Sequence, residues 1–316
     1  MAETLAPAAP RVAPGAPAGR RGGGRRRTRL VEIAFLLPAV VYLGLFFGFP
    51  VVKNVVMGFQ AYTTSTFYTG EAPFVGFDNY VAVVSSAVFD RALLNTALFT
   101  VGSIVGQFVL GLAIALFFHR RFPLSGFLRS LILLPWLIPM IAGAAVWRWI
   151  LDTDNGVLNR VLSVLPFLDR PDWLTSTSLA LVAVIGVNIW LGIPFTMTIL
   201  YGGLQEIPAE VYEAGALDGA TGWRAFRSIT WPLLRPVVTV VLVLSVVYTV
   251  KVIDVILGVT NGGPADSTQT LATLSYAVSF RQFDFGAGAA LGNILVLISL
   301  VFAVVYLRLN RRQVDE

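Results

Sequence analysis

Six apolar blocks, each of twenty or more residues, dominate this chain: Leu30–Val56, Leu93–Phe118, Leu128–Leu151, Leu179–Tyr201, Val237–Val259 and Gly286–Leu307. A soluble core does not call for runs this long. A bilayer core of ~30 Å, crossed at ~1.5 Å per residue, does. Charged residues are 13% of the chain, half the roughly 25% of an ordinary soluble domain. The expected class is an all-α membrane protein with six transmembrane helices, because a helix bonds its backbone groups internally where no water can. Pro38, Pro50, Pro135 and Pro139 lie inside blocks; neighbouring helices can satisfy the carbonyls they free.

Six spans put both termini on one side. Residues 1–29 are rich in Ala, Pro and Gly, then in Arg. Such a segment buries no core and is expected to be a disordered basic tail. On the same side fall Arg120, Arg121 and Arg129, then Arg224, Arg227 and Arg235, and finally Arg308, Arg311 and Arg312. Most of the 23 Lys and Arg are thereby gathered there, so that side is read as the cytoplasm. A signal peptide does not fit the start: the basic region is long and the first block exceeds a signal's apolar core. The net charge of +5 then reads as topology rather than as nucleic-acid binding. The expected layout is a tail over 1–29, a membrane domain over 30–310 and a short cytoplasmic tail over 311–316.

The loops carry their own expectations. Asp152–Thr177 reads as a loop with a short amphipathic helix, and an intermediate segment follows Asn261-Gly262-Gly263-Pro264. Several chemistries are excluded. With no cysteine and one histidine, His119, neither a thiolate metal site nor a Ser/His/Asp set can be assembled. The only lysines, Lys53 and Lys251, are not in a phosphate loop. Energy for any pumping must come from another chain.

The longest polar interruption in the second half is Glu206–Pro236, inside the loop 202–236. Ala209–Leu217 is expected to be helical: Pro208 suits a helix start, and Glu210 and Glu213 sit where the dipole favours acids. Gly219 and Gly222 supply the turn that stops it. A second short helix over Trp223–Ile229 is expected to follow, with Pro232 and Pro236 redirecting the chain into the fifth span.

This stretch resembles the signature of binding-protein-dependent ABC importer permeases: Glu-Ala-Ala, three residues, Gly, nine residues, then Ile-x-Leu-Pro. Here it reads Glu213-Ala214-Gly215, three residues, Gly219, nine residues, Ile229-Thr230-Trp231-Pro232. Gly215 stands where Ala is usual and Trp231 where Leu is usual. Glu210, Asp218 and Ala220 resemble the family too. Asp254–Ser267 and Phe77-Asp78-Asn79-Tyr80 are similar to segments of carbohydrate-type permeases of the maltose and glycerol-phosphate kind. The resemblance implies a type I ABC importer permease fold in the inner membrane of a bacterium. It implies a sister permease, two separate ATPase subunits that use ATP and Mg, an extracytoplasmic solute-binding protein and a sugar or related solute. It makes Glu210, Glu213, Ala214, Gly215, Asp218, Gly219, Ala220, Ile229 and Pro232 the ATPase-coupling residues, with no cofactor or metal bound by this chain.

Polar residues inside the blocks are candidates for the solute path. Lys251 and Asp254 are three apart, expected on one helix face, either as a pair or lining the path. Asn188, Trp190, Tyr248 and Asn293 offer amide, hydroxyl and aromatic groups suited to a sugar. An ion-coupled secondary transporter of a small polar solute is the rival reading. It leaves the Glu213 signature without a purpose.

Overall fold

The computed structural model describes residues 24–120, 122–164 and 170–311. It divides into a unit ending at Lys53 and a unit beginning at Asn54. Among the described residues the regular structure is helical, with two isolated bridges, Gln60–Phe74 and Thr63–Asp284. Helix α1 is Gly24–Leu43, followed by a π-helical turn, Gly44–Gly48, and α2, Phe49–Met57. Residues 1–23 of the expected tail lie outside the described residues, as do 312–316. The described part of that basic segment, from Gly24, is helix. Arginine is a good helix former, and an apolar span follows it directly.

From Asn54 the chain forms α3 (Thr64–Thr69), α4 (Asp78–Val84), α5 (Phe89–His119), α6 (Ser125–Leu137), α7 (Met140–Ile150) and α8 (Val157–Leu162). Then come α9 (Ala180–Gln205), α10 (Ala209–Leu217), α11 (Gly222–Ala225), α12 (Trp231–Thr249), α13 (Asp254–Val259), α14 (Leu271–Phe280) and α15 (Phe285–Arg311). Among the described residues, five helical runs are long and apolar enough to cross a membrane, or six if the pair α6 and α7 is one span. The short helix expected in Asp152–Thr177 is α8.

Two blocks read as single helices are broken. Within Leu128–Leu151, α6 and α7 meet at 96°. Ile138 precedes Pro139 and is extended (ψ 135°), as a residue before proline tends to be, and Pro139 is extended in turn. The Val237–Val259 block is helical through Thr249 and then opens until Asp254, whose carboxylate sits in the first turn of α13 and favours a fresh helix start there. Lys251 and Asp254 therefore do not share a helix face. The third correction concerns the lead into the fifth span. Gly222–Thr249 is one continuous helical run, with a π-helical turn at Phe226–Thr230, rather than a short helix and a redirected chain. Trp231 N–H reaches Phe226 O, five residues back, just before Pro232. The turn before Pro50 repeats this: Phe49 N–H reaches Gly44 O. A widened turn makes room for the ring, so the helix continues past the missing donor.

Helices α5 and α9 form the centre of the second unit. A Cβ on Gly106 would run into Ile189 Cδ1, one on Gly192 into the Gln107 side chain, and one on Gly111 to 2.9 Å of Thr196 Cγ2. Small residues of this kind let membrane helices approach closely, where burial of apolar surface offers little drive. Three buried clusters surround the pair. One joins Phe89, Ile104, Val246, Leu271 and Leu291, from α5, α12, α14 and α15. A second joins Ala144, Val184, Val187, Val255 and Ile256, from α7, α9 and α13. The third joins Phe118, Leu200, Leu204, Leu234 and Val241, at the far ends of α5, α9 and α12. Outward residues such as Val101, Val109, Leu297 and Val301 are exposed and apolar, as a lipid-facing surface requires.

Gly106→Leu should overpack α5 against α9 and cost about 1–3 kcal/mol. Thermal melting of the purified protein in detergent should fall, whereas Val105→Leu, on the exposed side of the same turn, should melt like the parent.

Candidate functional site

The first site is the hairpin of α10 and α11. Helix α10 occupies Ala209–Leu217, the span expected, with Pro208 extended before it and Glu210 in its first turn. It stops by a paired set of backbone bonds: Ala220 N–H to Gly215 O at 2.8 Å and Gly219 N–H to Ala216 O at 3.0 Å. That is the Schellman arrangement. Gly219 at φ 77° and Gly222 at φ 53° hold the left-handed backbone the stop needs. Tyr212 Oη and Thr230 Oγ1 are 3.0 Å apart, tying α10 to the base of the long α12 run.

The two departures from the signature have structural partners. A Cβ on Gly215 would collide with Ile229 Cδ1, so in this hairpin the isoleucine fills the space of the usual alanine methyl. Trp231 is half-buried, with its ring 6.4 Å from that of Phe108 and 6.2 Å from that of Phe226. Glu210, Glu213, Ala214, Asp218, Gly219 and Pro232 are exposed, and Gly215, Ala220 and Ile229 are half-buried. Leu217 is 91% exposed and Trp223 74%. Acids and uncovered apolar groups thus share one surface.

The second site is a cavity of about 400 Å³ flanked by both helix breaks. Trp136 and Met140 reach it from the α6–α7 bend; Lys251, Val252 and Asp254 reach it from the opening after α12. One wall is aromatic: Trp136 and Phe195 have ring centroids 6.2 Å apart, and Phe195 meets Tyr248 edge-on at 5.6 Å. Lys251 Nζ lies 5.2 Å from the Tyr248 ring centroid, a cation–π contact. Another wall is polar, with Gln107, Asn188, Ser245 and Thr249, all buried. Gln107 Nε2 donates to Asn188 O at 3.0 Å. Asn188 Nδ2 is buried without a hydrogen-bond partner, an expensive state for an amide.

Four of the six expected path residues, Asn188, Tyr248, Lys251 and Asp254, meet in this cavity. The other two are used elsewhere. Trp190 packs on Trp147 at 5.6 Å. Asn293 accepts from Asn54 Nδ2 and donates to Tyr80 Oη, both at 2.9 Å. Sequence reasoning passed over Gln107, Trp136, Phe195, Ser245 and Thr249. Gln107 carried a signal, as an amide within an apolar block. The aromatics did not, since a membrane helix is rich in them for other reasons.

The loop after α13 is tied down by side chains. Asn95 Nδ2 donates to Asp266 O and Gln269 O, and Thr96 Oγ1 accepts from Leu271 N–H. Helix α14, capped by Thr270, forms the intermediate segment expected after this loop.

Residues 107–315 match the family described as binding-protein-dependent transport system inner membrane component. The trehalose/maltose transport system permease of Thermococcus litoralis is 32% identical over 280 residues, 89% of this chain and 93% of its own. The sulfoquinovosyl glycerol transport system permease of Agrobacterium fabrum is 32% identical over 90% of this chain and 91% of its own. The diacetylchitobiose uptake system permease of Streptomyces coelicolor is 31% identical over 94% and 93%. In fold the chain is similar to a chain of a bacterial ABC transporter involved in import of the acidic polysaccharide alginate, with a TM-score of 0.79, 23% identity and coverage of 93% and 99%. The chain belongs to the binding-protein-dependent inner membrane component family, the permeases of ABC importers.

Gly215→Ala should lower the melting temperature unless Ile229 gives way, and the double change Gly215→Ala with Ile229→Val should restore it. Melting of the four proteins of this cycle tests the pairing.

Proposed function

We propose that this chain is the permease subunit of an ATP-driven sugar importer in the bacterial inner membrane. With a sister permease it forms the path for a sugar or related polyhydroxylated solute, delivered by an extracytoplasmic solute-binding protein. Its spans number six, α6 with α7 counting as one, and both termini face the cytoplasm, where the basic ends attract least cost. Residues 30–310 form the membrane domain, with short tails over 1–29 and 311–316. The chain does not hydrolyse ATP itself. Two separate ATPase subunits bind ATP and Mg.

The observation that carries the reading is the α10–α11 hairpin. It is a short, well-stopped helix that leaves Glu210, Glu213, Asp218 and a 91% exposed Leu217 uncovered at the foot of α9 and α12. An exposed apolar tip rimmed by acids suits a groove on a partner protein. Through residues 202–236, and Glu210, Glu213, Ala214, Gly215, Asp218, Gly219, Ala220, Ile229 and Pro232 in particular, closure of the ATPase pair moves the permease helices as rigid bodies. Swinging access from 1:99 to 99:1 takes about 5.5 kcal/mol of differential binding, and this hairpin is the contact that transmits it. The names of the three relatives all specify glycosides or saccharides. The cavity suits such solutes, with aromatic faces for a ring and amides and hydroxyls for its oxygens.

Glu213→Lys and Gly219→Leu should reduce substrate-stimulated ATPase and uptake at least tenfold in the reconstituted complex, with the spans still inserted. Unchanged stimulation in both variants would remove the hairpin from coupling. Uptake that proceeds without ATP would instead favour an ion-coupled carrier.

A further inference from the structure

Helices α6 and α9 enclose a cleft of about 250 Å³. From α6 it takes Gly126, Arg129 and Leu133, whose steps of three and four residues keep them on one side of that helix. From α9 it takes Met197 and Tyr201. None of these residues belongs to the hairpin or to the central cavity.

Arg129 is half-buried in the cleft. Its guanidinium lies 4.5 Å from the Tyr201 ring centroid. It also folds back over the first turn of its own helix, with Nη2 3.9 Å from where a Cβ on Gly126 would sit. A cation–π contact gives the five N–H groups of a guanidinium no acceptor oxygen. Among the described residues Arg129 has neither a hydrogen-bond acceptor nor an acidic partner. Gln205 Nε2 donates to the Tyr201 hydroxyl at 2.9 Å, so the tyrosine still has its own proton to give. Leu124 precedes α6 and offers no side-chain cap. Ser125 N–H reaches Phe122 O and Leu128 N–H reaches Leu124 O, whereas the N–H groups of Gly126 and Phe127 have no such partner among the described residues. No Asp or Glu occurs between Asp90 and Asp152, or anywhere in α9, so no carboxylate of either helix competes for these donors.

We infer that the α6–α9 cleft binds a phosphate group. The Arg129 guanidinium is its main ligand, and the Tyr201 hydroxyl and the first turn of α6 are further donors. A guanidinium fork matches two phosphate oxygens, and a helix start favours negative charge. The same chemistry is offered by the head group of an anionic lipid and by a soluble phosphate. The surroundings favour the lipid. Phe127, Leu131 and Leu134 of α6 are exposed and apolar, which suits acyl chains beside the cleft. The proposed orientation puts the cleft at the inner leaflet, where basic pockets between membrane helices hold anionic head groups. The inference goes beyond the transport reading and does not depend on which solute is carried.

The test is thermal melting of the purified full chain in detergent, titrated with three probes. These are phosphatidylglycerol, diacylglycerol (which has the chains and no phosphate) and inorganic phosphate against chloride at matched ionic strength. Phosphatidylglycerol should raise the melting temperature saturably, and diacylglycerol should not. Arg129→Gln should weaken the apparent affinity about tenfold, the loss expected for one charge-assisted hydrogen bond. Arg235→Gln removes the same charge from an exposed position near the start of α12 and should bind like the parent. A rise with inorganic phosphate alone, lost in Arg129→Gln, assigns the site to a soluble phosphate. A rise with phosphatidylglycerol alone, lost in the same variant, assigns it to the lipid. The inference is overturned by no rise with either phosphate probe, by an equal rise with diacylglycerol, by parent-like binding in Arg129→Gln, or by equal losses in Arg129→Gln and Arg235→Gln. Should Arg129→Gln fail to fold, Arg129→Lys decides. It keeps the charge and gives up the planar fork, so it should bind more weakly than the parent, and parent-like binding would also overturn the inference.

Discussion

The approach of α5 to α9 is the contact on which the rest of this structure depends. In lipid, apolar side chains gain little by leaving the solvent, so helices associate through close packing and polar contacts. Gly106, Gly111 and Gly192 leave no room for a methyl group between the two helices. Gln107 adds a hydrogen bond to the backbone of α9 at Asn188. With α9 held there, Val184, Val187, Leu200 and Leu204 join the packed clusters, while Asn188, Gly192 and Phe195 line the cavity. The central cavity and the hairpin at the foot of α9 both take their positions from this helix.

The cavity lies where two neighbouring membrane segments stop being helical. The bend at Ile138–Pro139 and the opening between Thr249 and Asp254 both adjoin it. Non-helical backbone at membrane depth survives only where protein or a water-filled space covers it. Helices α7 and α13 are locked together beyond the breaks: a Cβ on Gly258 would come to 2.6 Å of Ala144 Cβ. The polar groups exposed by the breaks, with the unpartnered Asn188 amide, thus surround a space bounded by well-packed helices.

The hairpin works differently. Its stop is made of backbone bonds and its tether is the Tyr212–Thr230 contact, so it is stiff toward α12 and open toward solvent. The π-helical turn beneath it lets the helical run continue past Pro232 without a kinked joint. The helical run that starts at Gly222 ends at Thr249, so the base of the hairpin and the cavity wall at Ser245 and Tyr248 belong to one element.

The amino-acid sequence alone determined the membrane class, the limits of most apolar segments and the whole of α10. Each of these follows from local physics: hydrophobic length, proline and glycine preferences, and acids at a helix start. The Glu213–Pro232 spacing was legible for the same reason, since its glycines mark turns. Only the tertiary structure decided that two apolar blocks are broken, because hydropathy reports burial and not backbone continuity. It also decided that Lys251 faces Tyr248, and that Asn293 is held by Asn54 and Tyr80. Gln107, Trp136, Phe195 and Ser245 meet across four different helices, and no spacing along one chain segment encodes such a meeting.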